Sequence, residues 1–120
     1  MVEVNQGDIV WVDFSPQAGH EQKGRRPALI VSNSYINKIT RFRNVMLCPI
    51  TNTQKKFPFH VDLDDRVETT GTIMCEQVKM LDANARNVKF IEKLPQDLLI
   101  QVLGMIKGFA DLDENLNNCT

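Results

Sequence analysis

Between Gln22 and Val61 the chain contains no aspartate or glutamate, yet it places eight basic residues there: Lys23, Arg25, Arg26, Lys38, Arg41, Arg43, Lys55 and Lys56. The remainder holds the other bases and all 15 acids, so a net charge of -1 hides two regions of opposite sign. Net charge alone predicts no nucleic-acid partner; the distribution predicts one. No apolar run approaches the roughly 18 residues of a membrane span, and Met1-Val2-Glu3-Val4-Asn5 is no secretory start, so the chain reads as cytoplasmic, unprocessed and without membrane. Its 3 cysteines include no CxxC pair; Cys48 and Cys75 lie in apolar strand-like runs and read as structural, without a disulfide framework. The only histidines, His20 and His60, lack partners at ligand spacing, and Asp62, Asp64 and Asp65 lack the EF-hand register, so neither metal nor cofactor is expected. A nucleophile elbow and a nucleotide-binding fingerprint are also missing.

What is present fits one small domain spanning 1–120. Residues 8–14 read as a strand, with Val10, Val12 and Phe14 on one face and Ile9 and Trp11 on the other. Further strands are expected over 28–32, 44–51, 58–63, 72–80 and 88–91, with Pro49 marking an edge or bulge. Helical periodicity is confined to the C-terminal part. There Pro95 suits the first helical position, and Leu98, Leu99, Val102, Leu103, Ile106 and Phe109 share one face. Gly104 and Gly108 weaken that helix, for which close packing is the expected reason. Residues 111–120 form an acidic, polar tail expected to fray. The fold class is mainly β with a C-terminal α-helix (α+β), closing as a small barrel or sandwich.

Two segments concentrate chemistry. The first ends Glu21-Gln22-Lys23-Gly24-Arg25-Arg26-Pro27, where the proline holds Arg26 extended and places a permanent cation on a strand edge. Read alone, Arg26 serves equally well as a surface ion-pair partner. The second is Pro49-Ile50-Thr51-Asn52-Thr53-Gln54-Lys55-Lys56-Phe57-Pro58-Phe59, a connection crowded with hydroxyls, amides, lysines and aromatics that could track a phosphate chain and stack bases. Phe59 reads as core, while Phe57 fits core or surface equally. Arg41-Phe42-Arg43 repeats the basic–aromatic pattern. Glu76-Gln77-Val78-Lys79 sets polar groups in an otherwise apolar strand, where they need partners or a groove.

Four blocks in order resemble the MazF/PemK family of toxin endoribonucleases: Gly7-Asp8-Ile9-Val10-Trp11-Val12-Asp13-Phe14-Ser15-Pro16; Gly19-His20-Glu21-Gln22-Lys23-Gly24-Arg25-Arg26-Pro27; Pro49-Ile50-Thr51 with Pro58-Phe59; and Glu76-Gln77-Val78-Lys79. The resemblance covers nearly the whole chain. It implies a small SH3-like barrel of the MazF/PemK/CcdB type, a homodimer, metal-independent cleavage of single-stranded RNA or mRNA in a prokaryotic cytoplasm, and a MazE/PemI-like antitoxin partner. Carried over residue by residue, it makes Arg26 and Thr51 catalytic. Glu21 is then a loop acid that acts as base or orients Arg26, and Gln77 a polar contact. RNA contacts are expected from His20, Lys23, Arg25, Asn52, Thr53, Gln54, Lys55, Lys56, Phe57 and Gln77. His20 departs from the family, which commonly has serine there.

The implied reaction is attack of the RNA 2′-hydroxyl on its own phosphate, leaving a 2′,3′-cyclic phosphate and a 5′-hydroxyl. Two other readings compete: a CcdB-like non-enzymatic gyrase poison on the same fold, and an RNA-binding module without catalysis. An antitoxin would cover the basic face with an extended acidic segment. Trp11, on the outer face of its strand, calls for a cover, and dimerisation would supply one.

Overall fold

Strand β1 (Asp8–Asp13) buries residues on both of its sides. Val10, Val12 and the following Phe14 join one apolar cluster, and Ile9 joins the other, as the two-residue period of a strand requires. The computed structural model describes residues 2–14, 24–53 and 56–113. Within them, β2 (Arg25–Ile30), β3 (Val45–Thr51), β4 (His60–Asp62), β5 (Thr72–Met74), β6 (Lys79–Leu81) and β7 (Lys89–Lys93) complete an antiparallel sheet. Two helices, α1 (Ser34–Ile39) and α2 (Gln96–Phe109), accompany it.

The strand order is β4-β5-β3-β2-β1-β7, with β6 paired to β3. The mainly-β class with a C-terminal helix therefore holds. Among the described residues no ladder joins β4 to β7, so the sheet remains an open path and does not close as a hydrogen-bonded barrel. Ala28, Ile30, Val45 and Leu47 join Val10, Val12 and Phe14 in the first cluster, capped by Val4, Phe42, Ala83 and Val88. Leu29, Cys48, Ile50, Val61 and Ile73 face the other way, where α2 lays Leu98 and Val102 over them. Leu99, Leu103 and Ile106 pack partly buried against that layer, as their spacing predicts.

Strand β3 organises the sheet. Its first half, Val45 to Leu47, pairs with β6, and its last two residues, Ile50 and Thr51, pair with β5. Pro49 stands at this change of partner, buried in a central strand and opposite Ala28, which excludes the edge and leaves an interrupted ladder of the expected edge-or-bulge pair. Val31 donates its N–H to the Met46 carbonyl at 2.9 Å. Ladder alternation then makes Ala28–Pro49 a non-hydrogen-bonded pair, so the missing N–H of Pro49 points away from β2 into the seam.

Four further expectations change. The strand expected over 72–80 is interrupted, because Cys75–Gln77 turns as a short 3₁₀ helix between β5 and β6. Helix α1 carries no apolar period to announce it; Asn33 caps it by accepting the Ile36 N–H, and buried Asn37 binds Ser32. Close packing does not explain Gly104 and Gly108, since a Cβ on either would meet no heavy atom within 4 Å. Pro95 sits one residue before its expected place, as the cap of α2. Of the tail, residues 114–120 lie outside the described residues, as does Cys119.

Candidate functional site

Arg25 and Arg26 open β2, where antiparallel pairing sets Arg25 against Asp13 and Arg26 against Val12. The β2–β3 ladder runs Ile30↔Leu47, Leu29↔Cys48, Ala28↔Pro49. Continued by two residues, the same register sets Arg26 opposite Thr51. Both then share the parity of the Ala28–Pro49 pair, the type in which opposing side chains stand closest. At the base of the β1–β2 loop, Phe14 donates its N–H to the Gly24 carbonyl at 2.9 Å, with Gly24 at φ +79°.

Thr51 is 6 % exposed, and its Oγ1 accepts the Thr53 N–H at 3.1 Å, a local turn that directs the chain out of β3. Gly71 packs against it from β5's side: a Cβ there would lie 2.4 Å from the Thr51 carbonyl oxygen and 3.0 Å from Asn52 Oδ1. Gly71 also holds φ +117°, open only to glycine, so position 71 is a backbone buttress for Thr51.

Around this pair, Arg25, Asn52, Thr53 and Lys56 are exposed. Phe57 is exposed too, edge-on to Phe59 at 5.4 Å and tilted over His60 at 5.3 Å. Phe59 is 40 % exposed and meets Phe109 of α2 at 5.0 Å, which corrects its assignment to the core. Gln77 is exposed on the 3₁₀ turn, not in a strand, and its side chain makes no hydrogen bond among the described residues. Its neighbour Glu76 receives His60 Nε2 at 3.1 Å while its Oε1 is buried without a partner. Glu21, His20, Lys23, Gln54 and Lys55 lie outside the described residues.

Phe42 is core, buried at φ +60°, so Arg41-Phe42-Arg43 offers no stacking face; Arg41 and Arg43 instead border a separate groove with Asp82 and Asn84. Cys48 and Cys75 are free and buried. Hydrogen bonding to Cys75, then burial, pushes the Cys48 thiol far up, which keeps it protonated and unreactive. No group of three or more His, Cys, Asp or Glu side chains among the described residues could hold a metal ion.

Sequence reasoning missed a groove of about 340 Å³ beside the arginine–threonine pair, lined by Trp11, Pro27, Asn52, Glu68, Thr70 and Ile91, with Thr69. Pro27 directly follows Arg26, and Asn52 directly follows Thr51. The available signal was Trp11, a large aromatic on the strand face opposite Val10 and Val12; it is 41 % exposed.

An open antiparallel sheet with a helix on one face and a basic, hydroxyl-bearing rim at the end of its central strands defines a small mainly-β class of protein. Residues 5–109 match the family described as PemK-like, MazF-like toxin of type II toxin–antitoxin system, and the chain belongs to that family. Endoribonuclease PemK of Escherichia coli is 37 % identical over 108 residues, which cover 87 % of this chain and 80 % of that protein. Endoribonuclease toxin MazF of Escherichia coli strain K12 is 40 % identical over 83 residues, covering 68 % and 71 %. The crystal structure of MazF from Deinococcus radiodurans superimposes with a TM-score of 0.80 at 35 % identity, over 88 % of this chain and 94 % of that one. A MazE-MazF crystal structure (Form-III) from the same organism gives 0.80 at 31 %, over 92 % and 98 %. Among the described residues no helix is long and apolar enough to cross a membrane.

Proposed function

We propose that this chain is the toxin of a type II toxin–antitoxin pair and an endoribonuclease that cuts single-stranded RNA at short sequences. The observation that supports the reading is the β2–β3 register, which runs from Ile30↔Leu47 to Ala28↔Pro49 and, continued by two residues, would bring Arg26 opposite Thr51. Kinship with proteins named as endoribonucleases supports it.

The RNA supplies its own nucleophile. The 2′-oxygen attacks the adjacent phosphorus, the P–O5′ bond breaks, and the proton lost by the 2′-hydroxyl is balanced by one gained at the leaving 5′-oxygen. Arg26, permanently charged, stabilises the negative charge that builds on the phosphoryl oxygens and hydrogen-bonds the leaving oxygen. Thr51 contributes its hydroxyl and backbone to the phosphate. Each well-placed donor of this kind is worth about 3–4 kcal/mol in the transition state. Glu21 serves as the base or the orienting acid, and Gln77 together with the loop residues contacts the strand.

The toxin works as a cytoplasmic homodimer and is neutralised by an antitoxin that covers the same rim. The MazE-MazF complex among the similar structures supports a partner of that kind. The test is incubation of wild-type protein and Arg26→Ala with a long single-stranded RNA in EDTA, mapping product ends. Discrete wild-type cuts with 2′,3′-cyclic phosphate and 5′-hydroxyl ends, absent from the variant, are expected. A folded wild type that cuts none of several RNAs rejects the proposal, and gyrase inhibition without cleavage replaces it with the protein-poison reading.

A further inference from the structure

We infer that the Trp11 groove is a nucleobase subsite, and that it takes an adenine or cytosine next to the scissile phosphate. The inference rests on the ribonuclease reading above and adds to it the chemistry of one recognised base.

Position comes first. Strand side chains alternate faces, so Pro27 and its register partner Trp11 point to the side of the sheet opposite Arg26 and Val12. An RNA strand crossing the rim can therefore set its phosphate at Arg26 and Thr51 and drop the neighbouring base over the edge into the groove. Asn52 marks the same crossing on the β3 side.

The lining suits a planar, amphipathic ring. In place of the dimer cover expected from the sequence, the 41 % exposed Trp11 indole gives a face between Pro27 and Ile91, the kind of platform on which unpaired bases stack. Three polar side chains converge on the groove with no hydrogen bond or ion pair of their own among the described residues: the Asn52 amide, the Thr70 hydroxyl and the Glu68 carboxylate. Thr69 is already engaged, because its hydroxyl and N–H donate to Glu92 Oε2 at 2.7 and 2.8 Å, while the Glu68 N–H donates to Glu92 Oε1 at 3.0 Å. Those bonds and the Gly71 buttress fix the far wall before any ligand arrives.

Charge then selects the occupant. Glu68 repels a phosphate or an acidic peptide from the groove, but it accepts a hydrogen bond from an exocyclic amino group, and Asn52 can satisfy a ring nitrogen with its N–H. Adenine and cytosine carry that donor beside a ring acceptor on the same edge, whereas the guanine amino group lies beside an N1–H that would oppose the Asn52 N–H. Uracil presents carbonyl oxygens there instead, which face the carboxylate unfavourably.

Trp11 is the chain's 1 tryptophan, so its fluorescence reports this groove and nothing else. Arg26→Ala protein, which should bind without cutting, would be titrated with short oligoadenylate, oligocytidylate and oligouridylate, and the wild-type, Trp11→Phe and Glu68→Gln cleavage maps compared. Saturable quenching by the first two, at least about fivefold tighter than by oligouridylate, is expected. One position beside the cut should require A or C in the wild type and relax toward U in Glu68→Gln. Trp11→Phe, which keeps a stacking ring and protects folding, should retain the sequence but raise KM.

Equal quenching by all three oligomers, or an unchanged map and KM in both variants, overturns the subsite while leaving the ribonuclease standing. Absence of wild-type cleavage defeats the parent reading independently of the titration. Quenching by an acidic peptide but by none of the RNAs would reassign the groove to a protein partner.

Discussion

Replacing Gly71 with alanine should damage Thr51 without touching it chemically. The added Cβ would lie 2.4 Å from the Thr51 carbonyl oxygen and 3.0 Å from its carbonyl carbon, distances that only backbone movement can relieve. The φ of +117° adds a conformational penalty of about 1–3 kcal/mol for any residue with a Cβ. Overpacking against fixed atoms contributes about 1–3 kcal/mol more. Taking roughly 2–6 kcal/mol in total, and about 4 °C per kcal/mol for a chain of this length, the Tm should fall by roughly 8–24 °C. Residual folded protein should cut RNA about a hundredfold more slowly, because small displacements of a positioning group are costly. Gly104→Ala is the control, since its Cβ meets nothing within 4 Å in the middle of α2. Helix propensity alone should stabilise that variant by about 1 kcal/mol. Differential scanning calorimetry of both variants, with a cleavage time course, tests the opposite signs. An unchanged Tm and rate for Gly71→Ala would refute the buttress.

Arg26→Ala should lower kcat by at least about a hundredfold, with its Tm within a few degrees of wild type, as comparison of cleavage rates with thermal melts will show. RNA affinity of that variant should still fall steeply as salt rises, and a flat log–log plot would count against a charge-lined track. Although burial pushes it up, hydrogen bonds from Thr69 and from the Glu68 and Thr69 amides hold Glu92 below the ordinary carboxylate value. Its contribution is thus complete above that ordinary value and lost as pH falls through the lowered one. Trp11 emission should accordingly shift in wild type only once pH falls below the ordinary carboxylate range, and Glu92→Gln should show a weakened wall already at neutral pH. Cys48→Ala should lose stability, by about 1–3 kcal/mol in a denaturant melt, and leave the cleavage sequence unchanged, because its thiol only fills space.

The roles of individual residues were legible to different depths. Val10, Val12 and Phe14 could be assigned to one face from alternation alone, and Leu98 and Val102 to the buried stripe of a helix, since both periods are local properties of the chain. Phe59 was misassigned because hydrophobicity does not say whether an aromatic is enclosed; here its neighbours are Phe57 and Phe109 on an open surface. Glu76 and Gln77 were misplaced because a 3₁₀ turn of only Cys75–Gln77 leaves no periodic trace between two apolar segments. Pro49 pointed correctly to an interrupted ladder, but whether that meant an edge or a seam depended on β5 and β6 arriving from later in the chain.

The sequence by itself determined the strand faces, the C-terminal helix, the acid-free basic third and the ordered motif blocks that mark the toxin family. Those are written in composition and short spacings. Only the tertiary structure decided that β2 and β3 run side by side in the register Ala28↔Pro49, two residues short of Arg26 and Thr51, that Gly71 packs on the Thr51 carbonyl, and that Trp11, Asn52 and Glu68 wall one groove. Each of these is a cross-strand or loop-to-strand pairing set by register between distant segments, and a one-residue slip would turn every such side chain to the other face.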